Sequence, residues 1–165
     1  MTSTAKAGAK TVKSKPDGYH TVTAYLIVDN ATAAIEFYKK AFGAQERFRM
    51  PGKDGKIGHA ELQLGDSVVM LADEAPEMGA KSAKTIGATS VSLLVYVDDV
   101  DVMIKKAVEA GATIERPIED KFYGDRSGSV RDPYGYSWHL ATHVEDVSPE
   151  EMEKRAKSQH SGSCC

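Results

Sequence analysis

The chain repeats itself. Val22-Thr23-Ala24-Tyr25-Leu26-Ile27-Val28-Asp29 is answered by Val91-Ser92-Leu93-Leu94-Val95-Tyr96-Val97-Asp98, and Phe42-Gly43-Ala44 by Ala110-Gly111-Ala112, with one residue lost in between. A repeat constrains a fold strongly, because each copy forms the same unit and buries its apolar face against a neighbour. Each copy opens with an apolar strand, reaches an Asp or Asn able to cap a helix, and stops that helix at a glycine. The first strand is expected over residues 19–28. Its helix starts at Asp29 or Asn30 and carries Ala31, Ala34, Ile35, Tyr38 and Phe42 at helical spacing. The second strand is expected over residues 89–97. The helix after Asp98 or Asp99 places Val100, Met103, Ile104, Ala107 and Val108 on one face. Three strands then follow in each copy: residues 45–50, 57–64 and 67–71, and residues 112–117, 127–131 and 136–142. The pattern is α+β, built of two βαβββ modules.

Domain limits follow from where the pattern breaks. Residues 1–18 read as a disordered tail, 19–75 as the first module, 76–88 as a linker, 89–145 as the second module, and 146–165 as a C-terminal helix and tail. Ser148-Pro149-Glu150-Glu151 combines an N-cap serine, a proline at N1 and a capping-box glutamate.

Charge and cysteine usage exclude several classes. With a net charge of −3, the chain has no electrostatic footprint for nucleic acid. Lys6, Lys10, Lys13 and Lys15 sit among Ala, Ser, Thr and Gly, the composition of a solvated tail. Cys164 and Cys165 are the only cysteines and cannot make a disulfide framework or a CxxC site. No apolar run is long enough to cross a bilayer or serve as a signal peptide, so a cytoplasmic location, with no membrane partner, is expected.

Strand alternation nominates the polar face. In residues 136–142, Tyr136, Trp138 and Leu140 point one way, while Ser137, His139 and Ala141 point the other. Trp138 is thereby expected in the core under a helix, and His139 on an open face where an imidazole can exchange protons near neutral pH. Thr23 and Tyr25 share a face of the first strand. Ser92, Leu94 and Tyr96 do so on its counterpart, and Phe122 and Tyr123 could add aromatic wall. His59, Glu61 and Gln63 share another face, as a ligand-facing triplet or a solvated sheet surface. If His59, Glu61 and His139 met, they would make a two-His, one-carboxylate set. Arg126 and Arg131 could bind an anion or pair with Asp125 and Asp132. His20, His143 and His160 have no partner pattern and are expected at the surface.

The segments AAIEFYKKAFGAQE (33–46), GHAELQLGDSVVMLADE (58–74), VYVDDVDVMIKKAVEAGA (95–112) and GDRSGSVRDPYGYSWHLATHVEDVSPEE (124–151) resemble those of the vicinal oxygen chelate superfamily. That group includes glyoxalase I, extradiol dioxygenases, fosfomycin-resistance enzymes and bleomycin-resistance proteins, and the chain is most similar to its PhnB-like glyoxalase/bleomycin-resistance branch. The resemblance implies that the two modules form a curved, cup-shaped mixed sheet, commonly completed in a homodimer. It also implies metal-ligand positions on the first and last strand of each module. Here those positions fall on Thr23, Ser92, Met70 and His139, and only His139 is a good donor. Divalent metals need about three protein donors. No cofactor is therefore expected, although a divalent metal is not excluded.

Three functions are consistent with these features. The first is binding of a small, partly aromatic molecule in the cup without a tightly bound metal, anchored by His139. The second is a metal-dependent lyase, isomerase or dioxygenase of the glyoxalase type. The third is a structural or regulatory protein that binds nothing.

Overall fold

A computed structural model describes residues 12–161, with side chains to residue 158. Residues 1–11 of the expected tail, with Lys6 and Lys10, lie outside the described residues, as do Cys164, Cys165 and the His160 side chain. The first module runs β1 (Ala24–Val28), α1 (Ala31–Phe42), β2 (Gln45–Pro51), β3 (Ile57–Leu64) and β4 (Ser67–Asp73). A 3-10 turn, Pro76–Met78, and a short helix α2 (Ala83–Ile86) occupy the stretch expected as a linker. The second module runs β5 (Ser92–Tyr96), α3 (Val100–Ala110), β6 (Thr113–Asp120), β7 (Asp125–Arg131) and β8 (Ser137–His143), and α4 (Pro149–Ser161) follows.

The two modules have one topology. Their sheets order as β1-β4-β3-β2 and β5-β8-β7-β6. In each, the first strand pairs parallel with the last, Ala24 to Val28 against Val69 to Asp73 and Ser92 to Tyr96 against Ser137 to Ala141. The remaining pairs are antiparallel. The sheets stay separate, and no barrel closes.

Local chemistry sets the helix limits. The Asn30 side chain accepts from the Ala33 amide at 3.0 Å, and Asp99 from the Val102 amide at 3.0 Å. Gly43 and Gly111 end the helices in the left-handed region. α1 packs against α3 and both lie on the sheets, so the core sits between helices and strands. Trp138, 1% exposed, packs there on Phe42 with ring centroids 4.7 Å apart. Tyr38 Oη and Trp138 Nε1 both donate to the Asp132 carboxylate, at 2.8 and 2.9 Å, and the Tyr134 and Tyr136 amides donate to its other oxygen. Burial pushes this carboxyl up although the four bonds pull it down.

Two strands are shorter than their sequences predict. Residues 19–23 are irregular, and β1 begins at Ala24. Its partner β4 starts only at Ser67, so almost no ladder remains for an earlier start. β5 likewise begins at Ser92, level with Ser137 at the start of β8. β6 is longer than expected and passes through Pro117, which an edge strand tolerates. Among the described residues, no helix is long and apolar enough to cross a membrane.

Candidate functional site

Helices cover one face of each sheet. The other face is open, and strand register writes a row of four side chains across it. In the second module the row is Leu94, His139, Ser129 and Arg116, each level with the next. A cavity of about 340 Å³ lies over this row, bordered by Ser92, Ser137, His139, Ser129 and Arg116. Ser129 is 1% exposed, and its Oγ is buried with no hydrogen-bond partner among the described residues. An unpaired buried hydroxyl costs about 1–3 kcal/mol, so its place in a cavity wall is informative. Arg116 is exposed and has no ion pair among the described residues, whereas Glu115 beside it is held by Arg131 at 2.5 Å.

The corresponding row in the first module is Tyr25, Met70, Glu61 and Phe48. His59, two residues before Glu61, completes a hydrogen-bonded chain. Tyr19 Oη donates to Glu61 Oε2 at 2.5 Å, His59 Nε2 lies 3.3 Å from Glu61 Oε1, and Tyr25 Oη lies 2.9 Å from His59 Nδ1. An ionised carboxylate only accepts, so in the neutral imidazole Nε2 carries the proton and Nδ1 accepts from Tyr25. The Tyr19 hydrogen bond, then that of His59, holds the Glu61 carboxyl below the usual range against the opposing effect of burial. Partial burial raises the Tyr25 phenol. The Arg47 guanidinium sits 4.9 Å from the centre of the Tyr19 ring. Tyr25, Phe48 and Met50 stay about half exposed around this chain.

The ten residues nominated by sequence therefore divide between places. Ser92 and His139 border the second-module cavity, with Leu94 level with His139. Tyr25, His59 and Glu61 meet on the first module. Thr23 borders an open hollow there with Glu61, Met70 and Tyr19. Tyr96 lies outside the His139 cavity and donates to Asp125 at 3.0 Å. Phe122 and Tyr123 pack edge to face on one another in the β6–β7 loop, where Arg155 reaches the Phe122 carbonyl. His59 and Glu61 come together without His139, and no three His, Cys, Asp or Glu among the described residues gather as a metal-holding set.

Several pairings differ from expectation. Arg126 forks onto Asp101 at 2.7 and 2.8 Å and also reaches Asp120; Asp125 is not its partner. Arg131 takes Glu115 and not Asp132, whose oxygens are filled by Tyr38, Trp138 and the turn amides. His143 sits between Asp125 at 2.8 Å and Asp146 at 3.0 Å, and their hydrogen bonds raise its imidazole above the ordinary value. His20 lies 3.3 Å from the Ser67 hydroxyl.

Sequence reading missed Arg116, Ser129 and Tyr19. Ser129 was legible in principle, since it alternates with Ser127 on a strand opposite His139. Arg116 was not, because irregularities on both sides of it break the alternation of β6.

Two mixed sheets of identical topology, each open on one face, define a two-module α+β protein whose chemistry lies on the open faces. The chain belongs to the Glyoxalase/Bleomycin resistance protein/Dioxygenase superfamily, whose family model matches residues 18–140. An uncharacterized protein of Mycobacterium tuberculosis is 43% identical over 141 residues, covering 84% of this chain and 83% of that relative. Among solved structures, TioX from Micromonospora sp. ML1 is similar at 28% identity with a TM-score of 0.59, over 74% of this chain and 97% of TioX. The PhnB protein of Bacillus cereus shares the fold at 19% identity and a TM-score of 0.58, over 74% of this chain and 99% of that one.

Proposed function

We propose that this cytoplasmic chain binds a small, partly aromatic molecule bearing an oxyanion, without a tightly bound metal. His139 and Arg116 hold the charged end. The observation that carries this reading is the Ser129 hydroxyl, buried and unpaired in the wall of the cavity that His139 and Arg116 border. A ligand oxygen would satisfy it. The exposed side chain of Leu94, level with His139, offers apolar contact beside the charged end. A second copy of the chain covers the open faces, where Tyr25, Phe48, Met50, Leu94 and Tyr96 are otherwise exposed. A metal-dependent lyase, isomerase or dioxygenase would need about three convergent donors, and Thr23, Ser92 and Met70 offer none beside His139. A chain that binds nothing would gain stability by replacing Ser129.

Calorimetry with aromatic carboxylates, against their uncharged amides, tests the reading. A hydrogen bond to a charged group contributes about 1.5–3 kcal/mol, so Arg116→Gln should weaken carboxylate binding roughly 10- to 150-fold at a factor of ten per 1.4 kcal/mol. His139→Ala should weaken it roughly 2- to 150-fold, depending on the charge of the imidazole. Ser129→Ala should lower affinity while leaving the free protein at least as stable. Unchanged affinity in all three variants would place the ligand elsewhere.

A further inference from the structure

We propose that Tyr25, His59 and Glu61 form a proton relay that makes the first-module face a general base toward a carbon acid, namely an enolisable 2-oxo acid with an aromatic group. The inference rests on the reading that the open faces take a small aromatic anion, and it adds a reaction to that binding. The geometry has the order a relay needs. A hydroxyl faces the open side, an imidazole nitrogen accepts its proton at 2.9 Å, and a carboxylate 3.3 Å from the far nitrogen holds the tautomer. The elements make the arrangement rigid. Tyr25 is on β1, His59 and Glu61 are two residues apart on β3, and β4 ladders to both strands. Tyr19 fixes the second Glu61 oxygen, so the carboxylate cannot rotate away from His59.

Tyr25 is 47% exposed as a residue, whereas the side chains of His59 and Glu61 are 20% and 12% exposed. Tyr25 is the most open of the three to a substrate. Tyr25 is thus the catalytic residue, and His59 and Glu61 are positioning residues acting through it. Phe48 and Met50 stand on the same face and offer the apolar surface an aromatic group requires. Tyr25 also borders a cavity of about 580 Å³ that shares Thr89, Ser90 and Val91 with the cavity of His139 and Arg116. The two cavities thus adjoin at residues 89–91.

The step balances without a co-reactant. The C–H bond next to the ketone breaks, and its proton bonds to Tyr25 Oη. The former Tyr25 hydroxyl proton passes to His59 Nδ1. The electron pair of the C–H bond becomes the C=C of an enolate, with the negative charge on the former ketone oxygen. His59 becomes an imidazolium paired with Glu61. The reverse sequence returns a proton to carbon, or to oxygen to release the enol.

The test incubates the full chain with phenylpyruvate in D₂O near neutral pD. Proton NMR follows loss of the methylene signal, and calorimetry measures binding on the same sample. Wild type should exchange the methylene about 10²- to 10⁴-fold faster than buffer, the usual gain from a positioned acid–base group. Tyr25→Phe, which keeps the ring and its packing, should fall to the buffer rate. His59→Ala should fall too, and imidazole added in solution should restore exchange, a recovery that a purely structural role would not give. Exchange at the buffer rate in wild type overturns the relay, as does an undiminished rate in Tyr25→Phe. The Tyr25 variant decides the matter even if His59→Ala fails to fold. Phenylpyruvate bound without exchange sinks the relay alone, while absence of both binding and exchange also counts against the binding reading.

Discussion

At the scale of single residues, His143 shows how a side chain that looks unremarkable in sequence becomes chemically distinct. Nothing near it in the chain announces two carboxylates. Asp125 is its cross-strand neighbour on β7, and Asp146 lies three residues beyond the end of β8. Hydrogen bonds donated to Asp125 first and Asp146 second favour its charged form, so its folded pKa lies above the ordinary 6.5. The contribution of this contact to stability is fully present below the unfolded pKa and is lost as pH rises through the folded one. An NMR titration should place the His143 midpoint above 6.5, and Asp125→Asn should bring it back down. A midpoint at or below 6.5 in the parent protein would contradict the contact. The same lesson applies to Ser129 and Arg116. Residue type and alternation nominated His139 and Ser92 from one strand each, but a site shared by four strands needs the register, which only pairing supplies.

At the scale of elements, helices were read more closely than strands. A helix carries its limits within itself, in Asn30 or Asp99 at one end and Gly43 or Gly111 at the other. A strand exists only as far as its neighbour does, and residues 19–23 have the composition of a strand without a partner for it. Connections carry energy as well. The turn after β7 is built on Asp132, whose carboxylate takes two amides of its own hairpin, the Trp138 indole and the Tyr38 hydroxyl from α1. Asp132→Ala leaves the buried Tyr38 and Trp138 donors unpaired. At about 1–3 kcal/mol for each, the variant should lose at least roughly 2 kcal/mol of unfolding free energy in urea or thermal melts. A loss under 1 kcal/mol would mean the donors find other acceptors.

At the scale of the whole molecule, the two rows of side chains show what repetition leaves free. Backbone pairing places Tyr25 where its counterpart is Leu94, Met70 against His139, Glu61 against Ser129 and Phe48 against Arg116. One scaffold thus presents an aromatic face with a hydrogen-bonded chain and a polar face with an arginine that has no ion pair among the described residues. The proposed second copy would bring such faces together. Sedimentation at high micromolar concentration should give a dimer, and a monomer alone would argue against the covered faces. The Asp132 carboxylate has a further consequence, for cooperativity. It belongs to the second half of the chain and takes a donor from the helix of the first. Cutting the chain between the halves would strand a phenol on one side and a buried charge short of a partner on the other. The repeat is therefore double in pattern but tied across its halves: melting either one costs the other a hydrogen-bond partner in its core.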